Sequence, residues 1–381
     1  MFCIRLSKLP RSSSLEMVEA DTEEEVETLL ETSCHHHQQS PSALSPLSNF
    51  SRVMSFSSPQ SVDRSHQCLE KLPSELLRFS NCQMKDLNLS SNNLKTLPTN
   101  FYNLVKLTRL DLSDNQLVRL SSEIELFSQL EHLNVSRNNL IILPENIKSL
   151  DNLKTMDLSY NCLTSLPNGI VLVSSLQSLV LNNLFLKDLP EDIGLLRNLA
   201  VLEVRDNFLG SIPNSLQELE NLKRLDLGNN QIHNVVDFTK LIRLEDLLLD
   251  SNDISEVPPS IGCLSELTYL DVSNNILQQL PAEMSHCRKL TNLYLSHNRL
   301  SGLPAAIFSL PELRVLHLNN NCISKVPAEV GECVGLEELI LCCNQLMELP
   351  PELGQLANLS FLALSNNCLR KDFNLSKFTL K

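Results

Sequence analysis

LTRLDLSDN, residues 107–115, and LTNLYLSHN, residues 290–298, share the pattern L-x-x-L-x-L-x-x-N, which recurs along most of the 381-residue chain. The closing asparagine keeps a frame. Asn92, Asn115, Asn138, Asn161, Asn207 and Asn230 fit a 23-residue step, Asn252 follows after 22, and Asn275, Asn298, Asn321, Asn344 and Asn367 resume at 23. Leu110 and Leu112 flank one outward residue, the alternation of a short strand. Asn115 then turns the chain. Its amide can donate to and accept from backbone groups of the bend and of the neighbouring repeat, so a stack of such amides leaves few buried polar groups unpaired. Leu117 and Leu120 fill the next layer. In ten of the twelve complete repeats a proline follows, the exceptions being Ser121 and Val236. Proline ends extended pairing and starts an outer arm, too short for a long helix in a 23-residue repeat.

Self-similarity of this form is the mark of a leucine-rich-repeat solenoid. The expected fold is therefore of the α/β type: a curved right-handed horseshoe with a concave parallel β-sheet and short 3-10 or irregular convex arms. Parallel strands stack about 4.8 Å apart while bulkier arms cannot, so the rod bends with its strands inside. No repeat buries its leucines alone, and stability is shared between neighbours. The expected organisation is a disordered Ser/Glu/His-rich tail over 1–60, a capping segment over 61–83 holding the back half of a repeat without its strand, about thirteen repeats over 84–370, and a tail over 371–381. His35, His36 and His37 read as polar low complexity rather than a metal site.

The formal charge of −14 and a pI near 5.1 argue against nucleic acid as a partner, because phosphate binding needs clustered Lys and Arg. No apolar run approaches the roughly 20 residues of a membrane-spanning helix, and the first residues, MFCIRLSKLPRSSS, lack the apolar core of a secretory signal. Twelve cysteines stand at no disulfide-like or zinc-like spacing, which points to reduced thiols and a cytoplasmic location. Cys82, Cys162, Cys263, Cys287, Cys322, Cys333 and Cys368 read as core or loop fillers, and Cys342–Cys343 as a strand-edge pair with no metal role. No phosphate loop, nucleophile elbow, metalloprotease helix or kinase signature is present, so neither an enzyme nor a cofactor is expected.

Function then falls to the strand positions that face away from the core. At strand centres these are Asn88, Asp111, Asn134, Asp157, Val180, Glu203, Asp226, Leu248, Asp271, Tyr294, His317, Ile340 and Ala363. They begin acidic or amide and turn apolar and aromatic, a shift that Tyr269, Val315 and Phe361 reinforce. Tyr160, Tyr269 and Tyr294, three of the four tyrosines, are expected on this face. Displayed aromatics favour a protein or peptide docking strip over Leu248, Tyr269, Tyr294, His317, Ile340 and Phe361. Asp111, Asp157, Glu203 and Asp226, interleaved with Arg109, Arg205 and Arg224, form a second strip. It reads as a mutually neutralising surface that can still select a basic partner, not as acid–base machinery.

Two finer features carry a resemblance. Residues 61–73, SVDRSHQCLEKLP, resemble the segment that opens the repeats in the Scribble, Erbin, Densin and Lano (LAP) group. Residues 176–190, LQSLVLNNLFLKDLP, keep the frame with Leu184 in place of the asparagine and resemble an irregular repeat of that group; LDLGNNQ follows at 225–231. The resemblance implies a non-catalytic scaffold in cell polarity, junctions or receptor-linked signalling at the inner face of the plasma membrane. It also makes Cys3 the candidate for lipidation and peripheral membrane attachment. The chain departs from the group in having fewer repeats and no PDZ domain. Two alternatives stay open: a Ras-pathway adaptor similar to the Sur-8 and Ras-suppressor group, for which residues 52–56 carry one spacer too many, and the targeting subunit of a separate enzyme.

Overall fold

The structure is a computed structural model and describes residues 3–5, 17–18, 60–77 and 83–370. Fourteen three-residue strands, from Ser61–Asp63 to Phe361–Ala363, pair in parallel and strictly in chain order. The sheet is unclosed and curved, and the inward residues at the strand centres stack in register: Leu225 pairs with Leu202 on one side and with Leu247 on the other. The backbones of Cys3–Arg5 and Met17–Val18 add two antiparallel strands beside Phe361–Ala363, with Cys3 opposite Ala363. The segments holding His35–His37 and Arg52–Phe56, together with Cys82 and 371–381, lie outside the described residues.

One expectation is corrected at the first edge. The segment from residue 61 does have a strand: Ser61–Asp63 pairs with Asp86–Asn88 in register. Only Val62 faces the core there, so the usual triplet of leucines is missing and the pattern hides the strand.

The amide ladder is explicit. Asn115 Nδ2 donates to Leu112 O (3.1 Å) and, one repeat back, to Leu89 O (2.9 Å), while its Oδ1 accepts the Leu94 N–H (3.0 Å). Asn344 repeats the set with Leu341 O, Leu318 O and the Ile323 N–H. Asn92 to Asn344 are buried, and Asn367 is half-buried in the last turn. Before each ladder position the chain turns through the left-handed region, with φ between 50° and 59° at thirteen residues from Ser91 to Asn366. Asn183 keeps that turn even though Leu184, which follows it, has no amide to offer.

Most arms are short 3-10 helices, such as Glu145–Ser149 and Ala282–His286, entered from an extended proline. Ser121 adopts the same extended conformation, and its N–H, which proline would lack, donates to the hydroxyl of buried Tyr102 (3.2 Å). Val236 heads the one-residue-shorter repeat, and no 3-10 helix forms between residues 231 and 252. Among the glycines of the arms, Gly194 has the least room: an added Cβ would stand 2.1 Å from Ser215 O. Gly194→Ala is therefore expected to cost about 1–2 kcal/mol through forced backbone movement, measured as a lower urea midpoint with an unchanged denaturant slope.

Candidate functional site

Parallel pairing in register places the outward residues of successive strands in rows. On the N-terminal half these rows are polar. A shallow groove of about 310 Å³ runs from Arg109 to Val180 past His132, Asn134 and Thr155. Asp111 and Asp157 each accept the backbone N–H two residues on, at 2.9 Å, and so fasten their own turns. A larger hollow, about 650 Å³, lies between Gly302 and Pro351 on the arm side, away from these rows.

The middle of the face is an ionic network. Arg224 binds Glu203 through Nε (3.0 Å) and Asp246 through Nη1 (3.2 Å), with Asp226 at 3.6 Å. Arg205 reaches across the intervening strand to Asp250, its guanidinium nitrogens 2.7–3.0 Å from both carboxylate oxygens. Gly228 makes that reach feasible, since a Cβ there would fall 1.9 Å from Arg205 Nη1. Burial pushes the Asp226 and Asp250 carboxyls above the usual carboxylate range, against the pull of Arg205. Asp271, one strand further, is pushed up to about 6 by burial, reinforced by Asp250, although Ser273 donates to it from N–H (2.9 Å) and Oγ (2.6 Å). Asp246 and Asp250 escaped the sequence reading. The signal was Gly228 within LDLGNNQ, a lone glycine in a row otherwise filled by larger side chains such as Ser113, Asn182 and Asp250.

Next comes the aromatic row. Tyr269 and Tyr294 have ring centroids 5.2 Å apart, and Tyr294 meets His317 edge-on at 4.7 Å. Asn292 donates to the Tyr294 hydroxyl (3.2 Å), and His317 Nε2 lies 3.0 Å from Glu338 Oε1. Leu248, Tyr269 and Tyr294 are half-buried, so the row presents ring surface within a supported stack.

The leucine-rich-repeat family model matches residues 197–254, 242–300 and 288–333, and a second model of the same repeat matches 83–104, 106–128, 129–150 and 152–171. A leucine-rich-repeat protein of Leptospira interrogans is 32% identical over 83% of this chain and 92% of its own, with a TM-score of 0.69. The chain is a leucine-rich-repeat protein. The plant peptide hormone receptor RGFR1, solved in complex with RGF2, is 29% identical over 78% of this repeat protein and 57% of that chain, with a TM-score of 0.61. The functional domain of InlJ from Listeria monocytogenes shares the fold at 23% identity, covering 84% of this chain and 66% of its own, with a TM-score of 0.71. Domains of this class commonly serve as protein-interaction modules.

Several face positions differ from expectation. Ile340 and Ala363 are buried, not solvent-facing. With Cys342 they form a small cluster separate from the main core, against which Cys343 and Phe361 pack. His317 and Asp226 are also buried, at 7% and 4% exposure, which leaves Leu248, Tyr269 and Tyr294 as the accessible centre of the strip. Tyr160 lies on a turn after the strand, where the Arg137 guanidinium sits 4.2 Å over its ring. Apolar surface that the sequence reading missed lies on the turns beside the sheet: Phe185 and Phe208 stack at 6.1 Å, both about half exposed, and Ile141 and Ile142 are exposed two and three positions further along the turn of an earlier repeat.

The cysteines divide by environment. Cys287 and Cys333 are buried, and burial pushes their thiols up to about 12 and about 11. Cys82 lies outside the described residues, while Cys68, Cys162, Cys263, Cys322 and Cys368 are exposed and free. Iodoacetamide on the native protein at pH 8 should label these exposed five and reach Cys287 and Cys333 only after unfolding, as read by peptide mass spectrometry.

Proposed function

We propose that this repeat protein is a non-catalytic adaptor that captures a partner protein on its concave face, with the contact centred on Leu248, Tyr269 and Tyr294, which His317 supports from beneath. The observation that carries the reading is the continuous Tyr269–Tyr294–His317 stack beside the ionic network. Aromatic anchors held rigid by their neighbours lose little entropy on binding and are enriched in interface centres. The carboxylates of the face are tied to arginines and to their own turns, an arrangement suited to electrostatic selection rather than proton transfer. RGFR1, similar in fold and 29% identical, is a peptide hormone receptor solved in complex with RGF2, which supports a peptide or protein ligand here. The cellular setting proposed is the cytoplasmic face of junctions or of the cell cortex, in polarity or receptor-linked signalling. It rests on the LAP-like residues 61–73 and 176–190. Lipidation of Cys3 belongs to the same proposal.

Joint replacement of Tyr269 and Tyr294 by alanine tests the docking reading. Partner recovery in a pull-down should fall at least about tenfold, the loss expected of two central anchors, while the melting temperature moves by only a few degrees. Undiminished recovery, or collapse of the fold with no binding-specific loss in the milder Tyr269→Phe and Tyr294→Phe pair, would assign the tyrosines to packing alone.

A further inference from the structure

We infer that the concave face selects a basic, extended peptide segment, and that Asp271 receives one of its lysine or arginine side chains beside the paired rings of Tyr269 and Tyr294. The inference rests on the docking reading above and adds the chemistry of the occupant. Charge complementarity is the first argument. From Asp86 to Ala363, the outward strand positions together with residues 205 and 250 carry nine carboxylates and three arginines. The whole chain has a formal charge of −14, so the excess on this face is not offset elsewhere. Such a field draws in cationic segments and repels acidic ones.

The second argument is local. Arg205 and Arg224 are committed to Glu203, Asp226, Asp246 and Asp250. Asp271 lies one strand beyond Asp250, and both hydrogen bonds to it come from the neutral N–H and hydroxyl of Ser273. Register places it between Leu248 and Tyr294, and Tyr269 stands on the same strand and the same face. A cation seated there would pair with the carboxylate and lie against two phenol rings, a combination that favours guanidinium or ammonium over any neutral group. The span from Leu248 to His317 is three strand spacings of about 4.8 Å, which an extended segment of about five residues covers.

The experiment is a fluorescence-anisotropy titration of the full chain against labelled Gly/Ser dodecapeptides carrying three arginines, three lysines, three citrullines or three glutamates. The arginine and lysine peptides should bind, with the citrulline peptide weaker by at least about tenfold and the glutamate peptide silent, as expected for a charge-selected contact. Asp271→Asn should weaken the arginine peptide by a similar factor, and Glu256→Gln, an exposed carboxylate outside the sheet, should not. Equal binding of citrulline and arginine peptides, equal losses from Asp271→Asn and Glu256→Gln, or no binding by any peptide would overturn the inference. The two readings fail separately. Partner capture that is lost in the Tyr269/Tyr294 variant yet survives Asp271→Asn keeps the docking face and removes the basic occupant. Capture that survives the tyrosine variant removes the docking face itself.

Discussion

Asn230→Ala is expected to cost about 3 kcal/mol, because the change strips partners from several buried backbone groups at once. Asn230 Nδ2 donates to Leu227 O (3.0 Å) and Val204 O (2.9 Å), and its Oδ1 accepts the Leu209 N–H (3.0 Å). Two of these bonds tie the repeat to the one before it, so the variant should also loosen the cooperativity that joins neighbours. Urea denaturation followed by circular dichroism reads both effects: a lower midpoint and, if the solenoid splits at that joint, a second transition. Leu184→Asn is the matching control. It places an amide where Leu163 and Leu158 present the same backbone groups, in a turn already held by Asn183 at φ 55°. It should therefore be near neutral or stabilising.

Asp271→Asn is expected to stabilise the protein by about 2 kcal/mol above pH 7, and by almost nothing near pH 4. The carboxyl is pushed up to about 6 in the folded state from an ordinary value of 3.8. The folded protein thus holds this proton more tightly than the unfolded chain. Stability from the group is fully present below the unfolded value and is lost as pH rises through about 6. Asparagine removes the titration while keeping the turn. Asn88 and Asn134 occupy the equivalent position and accept the N–H of Ser90 (2.9 Å) and Ser136 (3.0 Å) as Asp271 accepts that of Ser273. Thermal melts of the two proteins from pH 4 to pH 8 should diverge as pH rises, and parallel curves would contradict the account. A carboxylate that lowers stability at neutral pH, at a site where asparagine would serve the turn, fits retention for binding rather than for folding.

The fold was legible because its signals are local and repeated. Leu107, Leu110, Leu112 and Asn115 state one repeat, and the same spacing states the rest. The strand Ser61–Asp63 was not legible, since its single inward residue, Val62, leaves no pattern to count. The face was legible in composition and less so in exposure. Alternation places Ile340 and Ala363 outward, but their burial with Cys342 and Phe361 depends on packing between adjacent strands. Tyr160 was misplaced because a turn in the left-handed region carries it away from the strand plane. The ionic network was half visible: Glu203, Arg205, Arg224 and Asp226 stand out by type, whereas Asp250 joins only because Arg205 passes over Gly228, a contact 45 residues apart in sequence.

The central claim is that partners are held on the concave face and not on the apolar surface beside it. Photo-crosslinking in cells puts the two in direct competition, with benzoylphenylalanine substituted at Val315 on the sheet or at Ile141 on the turns. The account predicts partner adducts from position 315 that vanish when Tyr269 and Tyr294 are replaced, and none from position 141. Adducts from position 141 alone, or from neither position, would contradict it.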